Sequence, residues 1–187
     1  MKNVAILASH NGSGFDALYS AQLSKILDIN INLVISNNTN AVVLQNAAKR
    51  NINNYLINAK TQQNPDEALY NLLKEHQCAF IFLSGYMKKL SPKITQDFKV
   101  INSHPALLPK YGGAGMYGRL VHEAVIANQE KRSGITIHEV NEEYDEGKII
   151  LQKELLLSSD ETVESLEEKI KELEALAIVE GFAECLK

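Results

Sequence analysis

Three stretches of the chain carry residue types that could do chemistry. In Asn102-Ser103-His104-Pro105-Ala106-Leu107-Leu108-Pro109, an amide and an imidazole sit two residues apart at the end of the apolar pair Val100-Ile101. The carboxyl ends of strands in an open α/β sheet are where ligands bind, so both groups could point into a crevice. Their plainer use is structural, with His104 capping the strand end and Asn102 bonded to backbone. His138 lies in Gly134–Val140, whose period-two alternation puts Ile135 and Ile137 on one face and Thr136 and His138 on the other. Asp145 follows in Glu142-Glu143-Tyr144-Asp145-Glu146-Gly147, where a simple turn aspartate is the alternative reading. His104, His138 and Asp145 are also a ligand set for zinc or iron, but neither i,i+4 spacing nor cysteine supports one, so no metal is expected.

The third stretch is Asn11-Gly12-Ser13-Gly14, between an apolar run and a helical pattern. Backbone amides at a helix start can hold an anion such as a phosphate monoester. The loop is not a Walker A sequence, since no Gly-Lys-Ser/Thr follows, and it is not G-x-G-x-x-G. A tight turn that uses Gly only for positive φ is the alternative.

The elements that must position these residues alternate. Strands are predicted at 3–9, 32–36, 55–57 and 79–83, with helices over 15–26, 41–49 and 65–75 between them. That order implies right-handed crossovers and a mainly parallel sheet. A short helix near 91–98 and a strand at 100–103 follow, then a Gly-rich stretch, 111–118. Strands at 134–140 and 148–156 would add antiparallel edges, and Val163, Leu166, Ile170, Leu173, Leu176 and Val179 mark a last helix over 162–185. Ser158-Ser159-Asp160 is its expected N-cap. The expected fold class is α/β: a single doubly wound, Rossmann-like, mainly parallel sheet with antiparallel additions toward the C-terminal part.

With 187 residues and no visible linker or repeat, one domain is expected over 1–187. At 45% hydrophobic and 22% charged residues, the composition excludes disorder. The charge balance, 19 − 23 = −4, argues against broad nucleic-acid binding, and no apolar run is long enough to span a membrane. A cytoplasmic protein is expected. Cys78 and Cys185 have neither metal-ligand nor disulfide-framework spacing and are expected to be reduced and structural.

Taken together, Asn11-Gly12-Ser13, Ser84-Gly85-Tyr86-Met87-Lys88-Lys89-Leu90-Ser91-Pro92, Asn102-Ser103-His104-Pro105 with Leu107-Leu108-Pro109, and Asp145-Glu146-Gly147 before Ile149-Ile150-Leu151-Gln152 resemble the formyltransferase family that uses 10-formyltetrahydrofolate. The resemblance runs in order over nearly the whole chain. It implies formyl transfer from that folate to the amine of glycinamide ribonucleotide in purine synthesis, with no metal and no covalent intermediate, by a monomer or homodimer. It makes Asn102, His104 and Asp145 the catalytic set, with Asn102 and a protonated His104 as oxyanion donors and Asp145 favouring the charged imidazole. Asn11, Gly12, Ser13 and Gly14 would bind the substrate phosphate, Gly85 would line the nucleotide pocket, and Glu174 would accept from the ribose hydroxyls. Met87, Lys88, Lys89, Leu90, Asn141 and Tyr144 would hold the folate, and His138 would be a supporting histidine. The same resemblance divides the domain into a nucleotide-binding half, about 1–99, and a catalytic and folate-binding half, about 100–187. An N-formyltransferase of amino-sugar nucleotides shares the catalytic triplet, and a noncatalytic nucleotide-binding module would share only the fold. In the family, Asn is usual where Gly14 stands, and Gln-Glu-His is usual where this chain has Leu173-Glu174-Ala175.

Overall fold

A computed structural model describes residues 1–187. Its seven strands form one mixed sheet in the order β3-β2-β1-β4-β5-β6-β7. In chain order the elements are β1 (Lys2–Leu7), α1 (Ser13–Leu23), β2 (Ile29–Ser36), α2 (Val42–Lys49), β3 (Asn53–Leu56), α3 (Pro65–Glu75), β4 (Phe80–Leu83), α4 (Pro92–Asp97), β5 (Lys99–His104), α5 (Arg119–Ala127), β6 (Arg132–Glu139), β7 (Ile149–Leu156) and α6 (Val163–Leu186). The chain divides into two compact units, Met1–Ile101 and Asn102–Lys187. The sheet has the mainly parallel, doubly wound form read from the alternation, with its antiparallel pair toward the C-terminus.

In the first unit β1 pairs in parallel with both β2 and β4, and β2 with β3. Val4 to Leu7 and Phe80 to Leu83 are unbroken apolar runs, and every one of these residues is buried. A strand can be apolar on both faces only when both are covered, which is the condition of a central parallel strand. Helix α1 adds Phe15, Leu18 and Ala21 to this core. Helix α3 starts with Pro65 after Asn64, whose side chain accepts from Glu67 N, so a proline and a cap set its first turn. Cys78 is free, and burial pushes its thiol up to about 12, so it is inert.

In the second unit β6 and β7 are antiparallel, with a register shift between Ile137 and His138. Ser133 to His138 are buried, whereas β7 is only partly covered along its length. Helix α6 contributes Leu166, Ile170, Ala177, Ile178 and Phe182 to the core. Each large apolar side chain so buried stabilises by roughly 1.5–3 kcal/mol.

The structure corrects three expectations. Helix α5 lies in a stretch where no element was predicted, although Val121 and Val125 have i,i+4 spacing and both are buried. Helix α6 is capped not by Ser158-Ser159-Asp160 but by Thr162, which forms a capping box with Ser165. Strand β2 begins at Ile29 rather than Asn32, since Asn30 and Asn32 sit at the less covered positions of an otherwise buried strand. No helix is long and apolar enough to cross a membrane.

Candidate active site

Four side chains of the second unit converge. Strand β5 presents Asn102 and His104 on one face and Ser103 on the other, as period two requires. Strand β6 brings His138, and the turn after it brings Asp145, whose φ of 59° places a non-glycine residue in the left-handed region. The β6–β7 register shift falls at His138 itself, where a bulge can re-aim a side chain. Gly147 closes the turn where only glycine fits, because a Cβ there would lie 1.6 Å from the Glu139 carbonyl oxygen.

Asp145 joins the two histidines. Its Oδ2 lies 3.5 Å from His104 Nδ1 and its Oδ1 lies 3.4 Å from His138 Nε2. The Gly113 N–H donates to Oδ2 at 2.9 Å. His104 and His138 are 3% and 1% exposed, so the cluster is shielded from solvent screening. Burial opposes the Asp145 charge, but His138, His104 and the Gly113 amide outweigh it and hold the carboxyl below its ordinary range.

Backbone carbonyls meet one nitrogen of each ring. His138 Nδ1 lies 2.9 Å from the Glu139 carbonyl, which can only accept, so Nδ1 carries the proton. Nε2 lies 3.2 Å from Asn102 Nδ2 and 3.4 Å from Asp145 Oδ1, so the ring sits between the amide and the carboxylate and orients both. His104 Nε2 lies 2.7 Å from the Tyr111 carbonyl, so its proton sits on Nε2 and the open lone pair on Nδ1 faces Asp145. Burial pushes the His104 pKa down, against the attraction of Asp145 and the Tyr111 hydrogen bond. His104 is neutral near pH 7, and the next proton it takes lands on Nδ1, beside the carboxylate.

The loop that leaves β5 is pinned by residues that sequence reasoning did not single out. Thr136 Oγ1, fully buried, donates to the Ala106 carbonyl at 2.7 Å and accepts from Leu108 N at 3.0 Å. Gln152 Nε2 donates to that hydroxyl and to the Leu108 carbonyl, both at 2.9 Å. Thr136 was visible only as the polar neighbour of His138 in the alternation, and Gln152 carried no signal beyond its motif. Ser103 Oγ donates to Glu174 Oε1 at 2.6 Å, so Glu174 already has a protein partner, and burial raises its pKa.

The first unit holds the other predicted residues. Gly12 caps α1 at φ 70° without a side-chain cap, and a Cβ there would meet Val43 Cγ2 at 2.6 Å. The Gly14 N–H donates to Ser84 Oγ at 3.0 Å, so that amide is committed and the expected cradle shrinks by one donor. Asn11, Gly12 and Ser13 keep backbone N–H groups with no protein acceptor. Gly85, at φ 68°, accepts from Ser9 N, and Ser9 Oγ accepts from Met87 N at 2.8 Å. Met87, Lys88 and Lys89 are exposed and Leu90 is buried. In the second unit Asn141 and Tyr144 are exposed, with Asn141 Oδ1 accepting from Glu143 N.

A buried imidazole–carboxylate–imidazole chain beside an oriented amide suits acyl transfer through an oxyanion, and residues 2–181 match the formyl transferase family. The chain belongs to that family and is a formyl-transferring enzyme. It is 35% identical over 179 residues to phosphoribosylglycinamide formyltransferase of Haemophilus influenzae, covering 93% of this chain and 82% of that one. It is 31% identical over 176 residues to the chloroplastic phosphoribosylglycinamide formyltransferase of Arabidopsis thaliana, covering 90% of this chain but 60% of that longer protein. A solved phosphoribosylglycinamide formyltransferase from Bacillus halodurans superposes with a TM-score of 0.90 at 29% identity, covering 100% of this chain and 96% of its own.

Proposed function

We propose that the chain transfers the formyl group of 10-formyltetrahydrofolate to the amine of glycinamide ribonucleotide, a step of purine biosynthesis, as one formyltransferase domain. The observation that carries this reading is Asp145 within 3.5 Å of both His104 and His138, with Asn102 bonded to His138. Family membership and the printed names of the relatives point the same way.

The donor set suits the formyl group. As the substrate amine attacks the formyl carbon, negative charge grows on the formyl oxygen, and a preorganised donor is worth most at that oxygen. The free N–H of Asn102 is one such donor. His104 becomes the second once its Nε2–H leaves the Tyr111 carbonyl. The ammonium that forms on the attacking nitrogen must lose a proton, and the nitrogen leaving the formyl group must gain one. Asp145 and the Nδ1 of His104 can relay it, directly or through water. Burial favours neutral His104 before the reaction, while Asp145 favours the cation during it.

Asn11, Gly12 and Ser13 would hold the substrate phosphate through backbone N–H groups at the start of α1, with Gly85 lining the nucleotide pocket. Glu174 would take the ribose hydroxyls, sharing its carboxylate with Ser103. Met87, Lys88, Lys89, Leu90, Asn141 and Tyr144 would hold the pterin.

The test is formyl transfer from 10-formyltetrahydrofolate, measured side by side on glycinamide ribonucleotide, its dephosphorylated riboside and amino-sugar nucleotides. The ribonucleotide should be the preferred substrate and the riboside much poorer. Preference for an amino-sugar nucleotide would transfer the activity to that class.

A further inference from the structure

Period two along β5 sends Asn102 and His104 to one face and Ser103 to the other, so the strand that carries two site residues also presents a hydroxyl to α6. Ser103 Oγ donates to Glu174 Oε1 at 2.6 Å, the short distance of a hydroxyl bonded to a charged acceptor. Glu174 has no other protein donor. Leu173 and Ala175 on either side of it bring none, and the ammonium of Lys171 is paired with Glu167 at 2.7 Å.

The second carboxylate oxygen is open. Oε2 has no protein partner and, unlike the buried atoms that lack one, keeps accessible surface, so a ligand hydroxyl can reach it. An ionised carboxylate accepts and never donates, so the ligand group that suits it is a hydroxyl donor. A glutamate already fixed at one oxygen has lost rotamer freedom before the ligand arrives, and less is lost on binding.

We infer that Ser103 is a positioning residue for the nucleotide: its hydroxyl fixes the Glu174 carboxylate through Oε1 and leaves Oε2 to accept from vicinal hydroxyls of the substrate sugar. The inference rests on the proposed contact between Glu174 and the ribose. Burial raises the Glu174 pKa, and the Ser103 hydrogen bond, then Lys171, oppose it. The other charges around α6 act elsewhere, Arg119 and His122 of α5 on Glu167 and Lys153 of β7 on Glu180. Loss of the Ser103 hydroxyl therefore sends that pKa further up, and the carboxylate is neutralised over a wider range of acidic pH.

The experiment sets Ser103→Ala, Ser103→Thr and Glu174→Gln beside the parent full chain. ¹³C NMR of the glutamate carboxyls, with Glu174 assigned through Glu174→Gln, should show it titrating above the ordinary glutamate range in the parent and higher still in Ser103→Ala. Ser103→Ala should raise the nucleotide KM about three- to tenfold, the worth of one hydrogen bond, and more at about pH 6 than at about pH 8. Its kcat and folate KM should hold, because the alanine leaves the Asn102 and His104 face of β5 untouched. Ser103→Thr returns the hydroxyl on a residue that suits a strand and should restore both readouts. Glu174→Gln should raise the nucleotide KM without that pH dependence. If it does so while Ser103→Ala moves neither the titration nor the KM, the inference fails and the ribose contact stands. A parent-like KM in Glu174→Gln would remove the ribose contact and the inference with it. A lower kcat at unchanged KM in Ser103→Ala would also overturn the inference, since the hydroxyl would then serve β5 itself.

Discussion

The two polar clusters of this protein are built by opposite means. The turn before α1 uses backbone: Gly12 at positive φ, amides of Asn11, Gly12 and Ser13 that point at no protein acceptor, and small hydroxyls at Ser9 and Ser84 that fix the neighbouring chain. The cluster in the second unit uses side chains, two buried histidines tied to one carboxylate and one amide. A backbone cradle has a fixed charge pattern and no titratable group, so it suits a ligand that keeps its charge. The side-chain cluster stores a proton equilibrium, so it suits a reaction in which charge appears and disappears. Substitutions should therefore act on binding in one place and on turnover in the other.

The largest effect should come from His104→Ala. It should lower kcat by about a hundredfold or more, because the proposed oxyanion donor and proton carrier would be lost together, while the melting temperature stays close to the parent's. Turnover near the parent value would end the contrast between the clusters. Asp145→Asn should reduce kcat by a comparable or slightly smaller factor and leaves a distinct signature. Asp145 now raises the His104 pKa against burial, so its loss must move that pKa further down. Imidazole Cε1–H resonances followed against pH should show His104 titrating below about 6.5 in the parent and lower still in the variant. An upward shift would contradict the assigned geometry.

Ser13→Asp places a negative charge among the free amides and should raise the nucleotide KM about tenfold or more while kcat and the folate KM change little. An unaltered nucleotide KM would move the phosphate elsewhere. Thr136→Val keeps the volume but strands the Leu108 N–H and one Gln152 donor, and should cost about 1–3 kcal/mol by denaturant unfolding, with a modest drop in kcat. The smallest effect concerns acid stability. His104 and Asp145 both have lowered pKa values, so the stability they confer is present above their ordinary values and lost as pH falls through the folded ones. His104→Gln should flatten the part of this loss that begins as pH drops below about 6.5.

Much of the fold could be read before any coordinates. Unbroken apolar strands such as Phe80–Leu83 and amphipathic helices such as α3 announce themselves locally, through periodicity and caps. Helix α5 was missed because it follows the glycines of 112–118 and is only nine residues long, so a short apolar rhythm was set against a strong loop signal. The cap of α6 was misplaced because Ser158, Ser159, Asp160 and Thr162 are all good cap residues, and only the reciprocal bond with Ser165 selects Thr162.

For the site, residue types and spacing determined which groups are candidates for chemistry: Asn102, His104, His138 and Asp145 stand out by type and by their place at strand ends and turns. Spacing along the chain holds no information about which nitrogen meets which oxygen. The tertiary structure decided that Asp145 reaches both imidazoles, that His138 orients Asn102, and that His104 rests neutral against the Tyr111 carbonyl. It also decided that Thr136 and Gln152 pin the loop. The physical reason is the same throughout. Periodicity and turn chemistry are local properties of the chain, whereas desolvation and hydrogen-bond partnership depend on which distant segments share a buried volume.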